Sequence, residues 1–310
     1  MHRTLLMILI GFLALVSADR VFAQKRNAED LVKRGITAAR LGYKDDALGK
    51  FTEAIRLDPT LPEAWYNRAV LYYESGEPAK ALFDLDRAAQ LNPRQASIFL
   101  QRGLVRHALD EDSLAVLDLE KAVRLDSTLR EAHLNLGLIW YERNKYEKAL
   151  PHFSYLIRKN PEDGQALYHR GLCRHFQGRF YDAIADFSAA LEQNPDEPDI
   201  LLSRGVSKAA AGLYYAAIED FSQTLALRPD YAEAYMNRGL ARFNLYKFAE
   251  AEQDYNQALM LEPASAEALT GRGVSRLAQG KSAEGCADLS EASRRGFVKA
   301  AEYLSKYCKD

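Results

Sequence analysis

The chain has 310 residues, 48% apolar and 27% charged, which is enough apolar material for a folded core and far too much charge for an integral membrane protein. Its 41 basic and 43 acidic side chains leave a formal charge of -2, so a polyanion such as nucleic acid meets no general attraction. Three cysteines with no Cys-x-x-Cys pair exclude a disulfide-dense scaffold and a Cys-rich zinc site.

The N-terminus reads Met-His-Arg and then an apolar run from Thr4 to Val16, followed by Ser17, Ala18, Asp19 and Arg20. The run falls short of the roughly 20 apolar residues of a membrane span, and its flanks are those of a cleaved secretory leader. Residues 1–23 are therefore expected to be a signal peptide, cut after Ala23 or alternatively after Ala18, with 24–27 as a short linker. The expected location is periplasmic or secreted, with no stable membrane insertion after cleavage.

From residue 28 to 299 the chain repeats itself. Pro59, Pro93, Pro161, Pro195, Pro229 and Pro263 fall on one 34-residue step, and Ser127 occupies the missing beat. The step divides the chain into eight repeats beginning at 28, 62, 96, 130, 164, 198, 232 and 266. Each reads as a helix, a turn residue such as Gly42, Gly76, Gly178, Gly212 or Gly280, a second helix and the proline step. Small residues recur where the two helices must approach, Gly35, Gly171 and Gly205 in first helices against Ala47, Ala183 and Ala217 in second helices. Phe51, Phe153, Phe187, Phe221 and Tyr255 fill the space beside them.

In the blocks Ala64-Trp65-Tyr66-Asn67-Arg68-Ala69 and Tyr235-Met236-Asn237-Arg238-Gly239 the chain resembles the tetratricopeptide repeat family, over nearly all of its length after the leader. The resemblance implies an all-α, right-handed α-solenoid of about eight 34-residue helix-turn-helix units plus a C-terminal capping helix. It also implies a concave groove lined by first helices. Carried onto this sequence, the groove floor holds Tyr73, His107, Tyr141 and His175, flanked by Tyr66 and Tyr168. Beside it runs a polar column of Asn67, Gln101, Asn135, His169 and Asn237, which resembles the asparagine ladder of superhelical family members. A side-chain amide both donates and accepts, so such a column can hold the backbone of an extended peptide, or can satisfy neighbouring helices instead.

Two charged columns are read differently. Arg68, Arg102, Arg170, Arg204, Arg238 and Arg272 recur in first helices, and Asp84, Asp118, Asp186, Asp220, Asp254 and Asp288 in second helices. The fourth repeat replaces both members together, with Leu136 and His152. Joint loss predicts an internal ion pair and not a ligand-binding ladder. The acids Glu63, Glu131, Asp199 and Glu233 sit in first turns, where the helix dipole accounts for them.

No nucleophile elbow, Walker loop or His-Glu-x-x-His occurs, so no catalytic residue, cofactor or metal is expected. The expected function is a non-catalytic scaffold whose partner is a protein or an extended peptide. A carrier or sensor of a small ligand or glycan, and a self-assembling solenoid, are the alternatives, and homo-oligomerisation is left open. At the C-terminus, residues 297–310 read as a capping helix with Lys299, Glu302, Lys306 and Lys309 on its outer face. In an exported chain Cys286 and Cys308 can close a disulfide over the last hairpin or remain thiols, and Cys173 reads as a small apolar filler.

Overall fold

The computed structural model describes residues 22–308, among which helices are joined by short connections and no strand occurs. The chain divides into two compact halves, ending at Ile139 and beginning at Trp140. The N-terminal half contains α1 (22–40), α2 (Lys44–Leu57), α3 (Pro62–Glu74), α4 (Pro78–Leu91), α5 (Ala96–Ala108), α6 (Asp112–Leu125) and most of α7 (Arg130–Glu142). The C-terminal half takes the end of α7 and continues through α8 (Tyr146–Lys159), α9 (Gly164–Phe176), α10 (Phe180–Gln193), α11 (Pro198–Ala210) and α12 (Tyr214–Leu227). It closes with α13 (Ala232–Asn244), α14 (Phe248–Leu261), α15 (Ala266–Ala278), α16 (Ser282–Arg294) and α17 (Val298–Tyr307).

Within each half a helix packs on the next in sequence, and first helices also touch the first helix of the following repeat, as α3 touches α5 and α13 touches α15. Contacts confined to neighbours make the chain an all-α helical-repeat solenoid. Residues 24–27, expected as a linker, instead continue α1, because Gln24, Lys25, Arg26 and Asn27 include no helix breaker. They are exposed, and Ala28 is the first buried residue. Of the expected leader, residues 1–21 lie outside the described residues.

The turn between paired helices is the same device in every repeat. Gly42, Gly76, Asp110, Asn144, Gly178, Gly212, Tyr246 and Gly280 all take positive φ, between 56° and 83°. After α1, the Gly42 N–H donates to the Ala39 carbonyl at 3.0 Å and the Tyr43 N–H to the Ala38 carbonyl at 2.9 Å, tying off the last carbonyls of the helix. Glycine meets this conformation without a Cβ penalty, and Asp110 and Asn144 tolerate it. Tyr246 holds it at a cost of roughly 1–2 kcal/mol.

The core is a column of rings and small residues. Phe51, Phe187 and Phe221 are buried, and each ring edge lies 2.6 or 2.7 Å from where a Cβ would stand on Gly35, Gly171 or Gly205 of the same repeat. A larger residue at those glycines would push the ring out of the helix pair, so the close approach requires glycine.

The charged columns meet as bidentate pairs. In the N-terminal half Arg68 donates from Nε to Asp84 Oδ2 at 2.7 Å and from Nη2 to Oδ1 at 2.9 Å, and Arg102 binds Asp118 in the same way. In the C-terminal half Arg170, Arg204, Arg238 and Arg272 bind Asp186, Asp220, Asp254 and Asp288. The six carboxylates are between 1% and 6% exposed, so they could not stand without a partner. Two further contacts were not anticipated from the columns. A second cation one helical turn on, Arg106, Arg174, Lys208, Arg242 or Arg276, binds the same carboxylate. The remaining Nη1 reaches back to the preceding repeat, from Arg68 to Thr52, Arg102 to Asp86, Arg204 to Ser188, Arg238 to Ser222 and Arg272 to Asn256. Each such arginine therefore fastens its own helix pair and the repeat before it.

Candidate protein-binding surface

In the N-terminal half the expected groove residues are dispersed among local contacts. Tyr66 and Tyr73 are half-buried on α3; burial holds the Tyr66 phenol above its ordinary value, with Ser97 of the next repeat beside the hydroxyl. Gln101 is half-buried on α5. His107 does not face an open groove alone: its Nδ1 lies 2.7 Å from Asp112 Oδ1 at the start of α6. Asn67 and Asn135 each spend an Nδ2–H on the carbonyl four residues back, Glu63 at 2.7 Å and Glu131 at 2.8 Å. Asn237 in the C-terminal half does the same with Glu233 at 3.0 Å. Each amide thus bonds back to its own helix, which occupies one of its N–H groups.

The C-terminal half draws several predicted residues together. Tyr141 stands 6.2 Å from the His169 ring, and Tyr168 stands 5.2 Å from it. His169 itself stacks on Phe153 at 5.6 Å, with the planes 19° apart, and its Nδ1 is buried with no hydrogen-bond partner. Tyr146 and exposed Phe176, stacked at 5.4 Å, complete the cluster against Tyr141, whose phenol burial pushes up to about 12. His175 lies at the margin of the cluster, against Phe176 and Phe180, with Nδ1 2.9 Å from Ser207 Oγ. Tyr146 and Phe176 were not among the expected residues. A signal for Tyr146 exists, because Tyr146, Phe180, Tyr214 and Phe248 occupy the same beat at the first residue of second helices. Buried Cys173 lies nearby as a thiol that burial pushes up to about 12, in keeping with a filler.

The burial of His169 predicts acid sensitivity in this half. Burial lowers its pKa from the ordinary 6.5, so the unfolded chain binds more protons than the folded one below that value. The contribution of neutral His169 is therefore complete above about pH 6.5 and is lost as pH falls from there toward the folded-state pKa. His169→Phe, which keeps the stack on Phe153, is expected to flatten part of this decline in urea denaturation between about pH 7 and pH 5. An unchanged slope would place the acid sensitivity elsewhere.

A larger feature lies further along the same half. A cavity of about 980 Å³ is bounded by α13, α15 and α17. Met236, Leu240, Phe243, Val274 and Leu277 supply its apolar lining, and Glu233, Asn237, Glu262 and Glu267 its polar walls. From α17 come Lys299, Tyr303 and Tyr307; Lys299, expected on the outer face of the cap, lines the cavity instead. A disulfide between Cys286 of α16 and Cys308, with Cα atoms 5.7 Å apart, joins the end of α17 to the last repeat. Of the predicted binding residues Asn237 alone lines this cavity.

Comparison with known proteins agrees with the helical-repeat fold. Models of the tetratricopeptide repeat match residues 41–76, 62–95, 134–198, 176–232 and 232–265. No curated protein matches the chain. A tetratricopeptide repeat protein from Parabacteroides merdae is similar with a TM-score of 0.59 and 21% identity, over 80% of this chain and 99% of that one. The C-terminal part of a repeat protein from Cytophaga hutchinsonii gives a TM-score of 0.63 and 20% identity, over 80% and 98% of the two chains. YrrB, described as a tetratricopeptide repeat protein with an unusual peptide-binding site, gives 0.56 and 26%, over 59% of this chain and 95% of its own. The matched segments span more than half of the residues and keep the 34-residue step of the helices, so the chain belongs to the tetratricopeptide repeat family.

Proposed function

We propose that the protein is a non-catalytic interaction scaffold that holds a peptide or protein segment against the first-helix faces of its repeats. The observation that carries this reading is the cavity between α13, α15 and α17, whose apolar lining, with the amide of Asn237 on its wall, suits a polypeptide with alternating apolar and polar groups. Its volume of about 980 Å³ accommodates several side chains at once. The likeness to YrrB and its peptide-binding site supports the same use of the fold. The aromatic cluster around Tyr141 and Phe176 offers a second contact area of the anchoring type. Export to an oxidising compartment belongs to the same proposal, supported by the short apolar run behind Arg3 and by the Cys286–Cys308 bond.

The test is photo-crosslinking in the native host with the probe at Leu240 or Tyr141, and at exposed Glu192 on α10 as control. One protein captured at Leu240 or Tyr141 and not at Glu192 is the expected outcome. Equal capture at all three positions, or none at any, would overturn the scaffold reading.

A further inference from the structure

Two residues of the cavity wall depart together from their columns. The second-helix column reads Phe51, Leu85, Leu119, Phe153, Phe187, Phe221, Tyr255 and Leu289, in which Tyr255 is the one hydroxylated member. The polar first-helix column reads Asn67, Gln101, Asn135, His169, Ser203 and Asn237 and then Gly271. Phe221 presses its ring onto Gly205 of its own repeat, 2.6 Å from the position of a Cβ there. Tyr255 stands off the corresponding Gly239, at 3.2 Å, and leans across to Gly271 of the next repeat. Its Cζ lies closer to the position of a Cβ on Gly271 than any real Cβ contact allows, so the residue found at this beat in other repeats would collide with the ring.

The ring that leans on Gly271 belongs to the cavity wall. Tyr255 is 5% exposed and is one of the residues that line the cavity. A phenol on a cavity wall can donate a hydrogen bond to an occupant or accept one from it. Burial, with Glu267 and Asp254 nearby, pushes its pKa up, so it remains neutral and able both to donate and to accept.

The charges around it have one predominant sign. Glu233, Glu262 and Glu267 line the cavity against the single cation Lys299. Desolvation and then the proximity of Glu267, Asp199 and Glu262 raise the pKa of Glu233, which places these carboxylates within each other's field. A cation seated among them would relieve that repulsion, whereas an acidic ligand would add to it.

We propose that this cavity receives a Lys or Arg side chain of a partner polypeptide, next to a bulky apolar residue, with the aliphatic stem along Met236 and Val274 and the charged head between Glu233, Glu267 and the Tyr255 hydroxyl. The assignment rests on the scaffold reading and adds to it the chemistry of the occupant. The apolar residue fills the lining around Leu240 and Phe243, and the Lys or Arg stem needs an apolar path of this kind. Tyr255 accepts a hydrogen bond from the ammonium or guanidinium head, as a neutral oxygen can.

The test uses random dodecapeptides on phage, selected against the full disulfide-bonded chain, followed by titration of the enriched peptides by fluorescence anisotropy. Enriched peptides are expected to share a Lys or Arg beside Leu, Met, Phe or Trp. Exchanging that basic residue for Met, or introducing Glu233→Gln with Glu267→Gln, is expected to weaken binding by about tenfold or more. Tyr255→Phe is expected to weaken it by roughly threefold to tenfold. Gly271→Asn is expected to abolish it; because this change also disturbs packing, the two glutamine exchanges at the exposed acids decide the matter. Enriched peptides that are acidic or uncharged, or basic peptides indifferent to the glutamine exchanges, would overturn the assignment while leaving the scaffold reading in place. No enrichment, together with no crosslink from Leu240 or Tyr141, would overturn both. Self-association abolished by the glutamine exchanges would identify the occupant as a second copy of the chain and overturn the assignment to a partner.

Discussion

Asp254→Ala is expected to cost the C-terminal half about 3–5 kcal/mol, the range found when one member of a buried charge pair is removed. The carboxylate is 2% exposed and accepts from Arg238 Nη2 and Arg242 Nη1, both at 2.7 Å. Both guanidinium groups are largely buried, with side chains 16% and 19% exposed, so neither can turn to water when the acid is lost. Arg238 also holds Ser222 of the preceding repeat, which extends the damage across the repeat boundary. The triple exchange Arg238→Leu, Arg242→Leu and Asp254→Leu removes charge and countercharge together and is expected to recover more than half of the loss, since the pair contributes geometry more than net stability. Because the repeats couple only to neighbours, hydrogen exchange should quicken across α13 to α15 and stay unchanged in α3 to α5. A loss below about 1 kcal/mol in urea denaturation would show that the node is not structural.

Exchanging both Cys286 and Cys308 for serine is expected to release α17 while leaving most of the solenoid folded. Ala300 is the buried residue of α17 and Leu304 packs partly buried beside it, a small apolar area to hold the helix on α16. The bond closes a chain separation of 22 residues, which stabilises the docked state by roughly 3 kcal/mol in the chain-entropy account. Its loss should raise amide exchange throughout α17 and withdraw Tyr303 and Tyr307 from the cavity wall, with a much smaller effect on thermal unfolding of the N-terminal half. Mild reduction of the unaltered protein should reproduce the change. Equal protection of α17 in the two forms would show that packing alone retains it.

Much of the electrostatic framework was legible in the sequence because the repeat converts spacing into contact. An arginine and an aspartate 16 residues apart fall on facing positions of a helix pair in every repeat that keeps both, as Arg68 and Asp84 do. The second cation was legible in principle, since Arg106, Arg174, Lys208, Arg242 and Arg276 stand four residues after the first arginine and thus on the same helix face. The back-bonding of Asn67, Asn135 and Asn237 was not, because an amide on a helix chooses among partners by rotamer, which spacing leaves free. The Tyr141 cluster was half legible: the column marked Tyr141 and His169, while Phe176 enters through the short turn that brings the end of α9 to the start of α8.

The sequence by itself determined the all-α class, the 34-residue step, the positions of the helices and the pairing of the charged columns. These follow from local periodicity and from a geometry that each repeat imposes on the next. Only the tertiary structure decided where the surface opens. Tyr255 and Gly271 are visible as departures in a column, yet whether the ring stays on Gly239 or leans to Gly271 depends on which neighbour leaves room for it. The same holds for Lys299, whose place on the cavity wall is set by the way α17 docks on α15 and α16 and not by its own amphipathic pattern. Close packing selects one arrangement among several that the pattern permits, and the cavity is the space which that selection leaves unfilled.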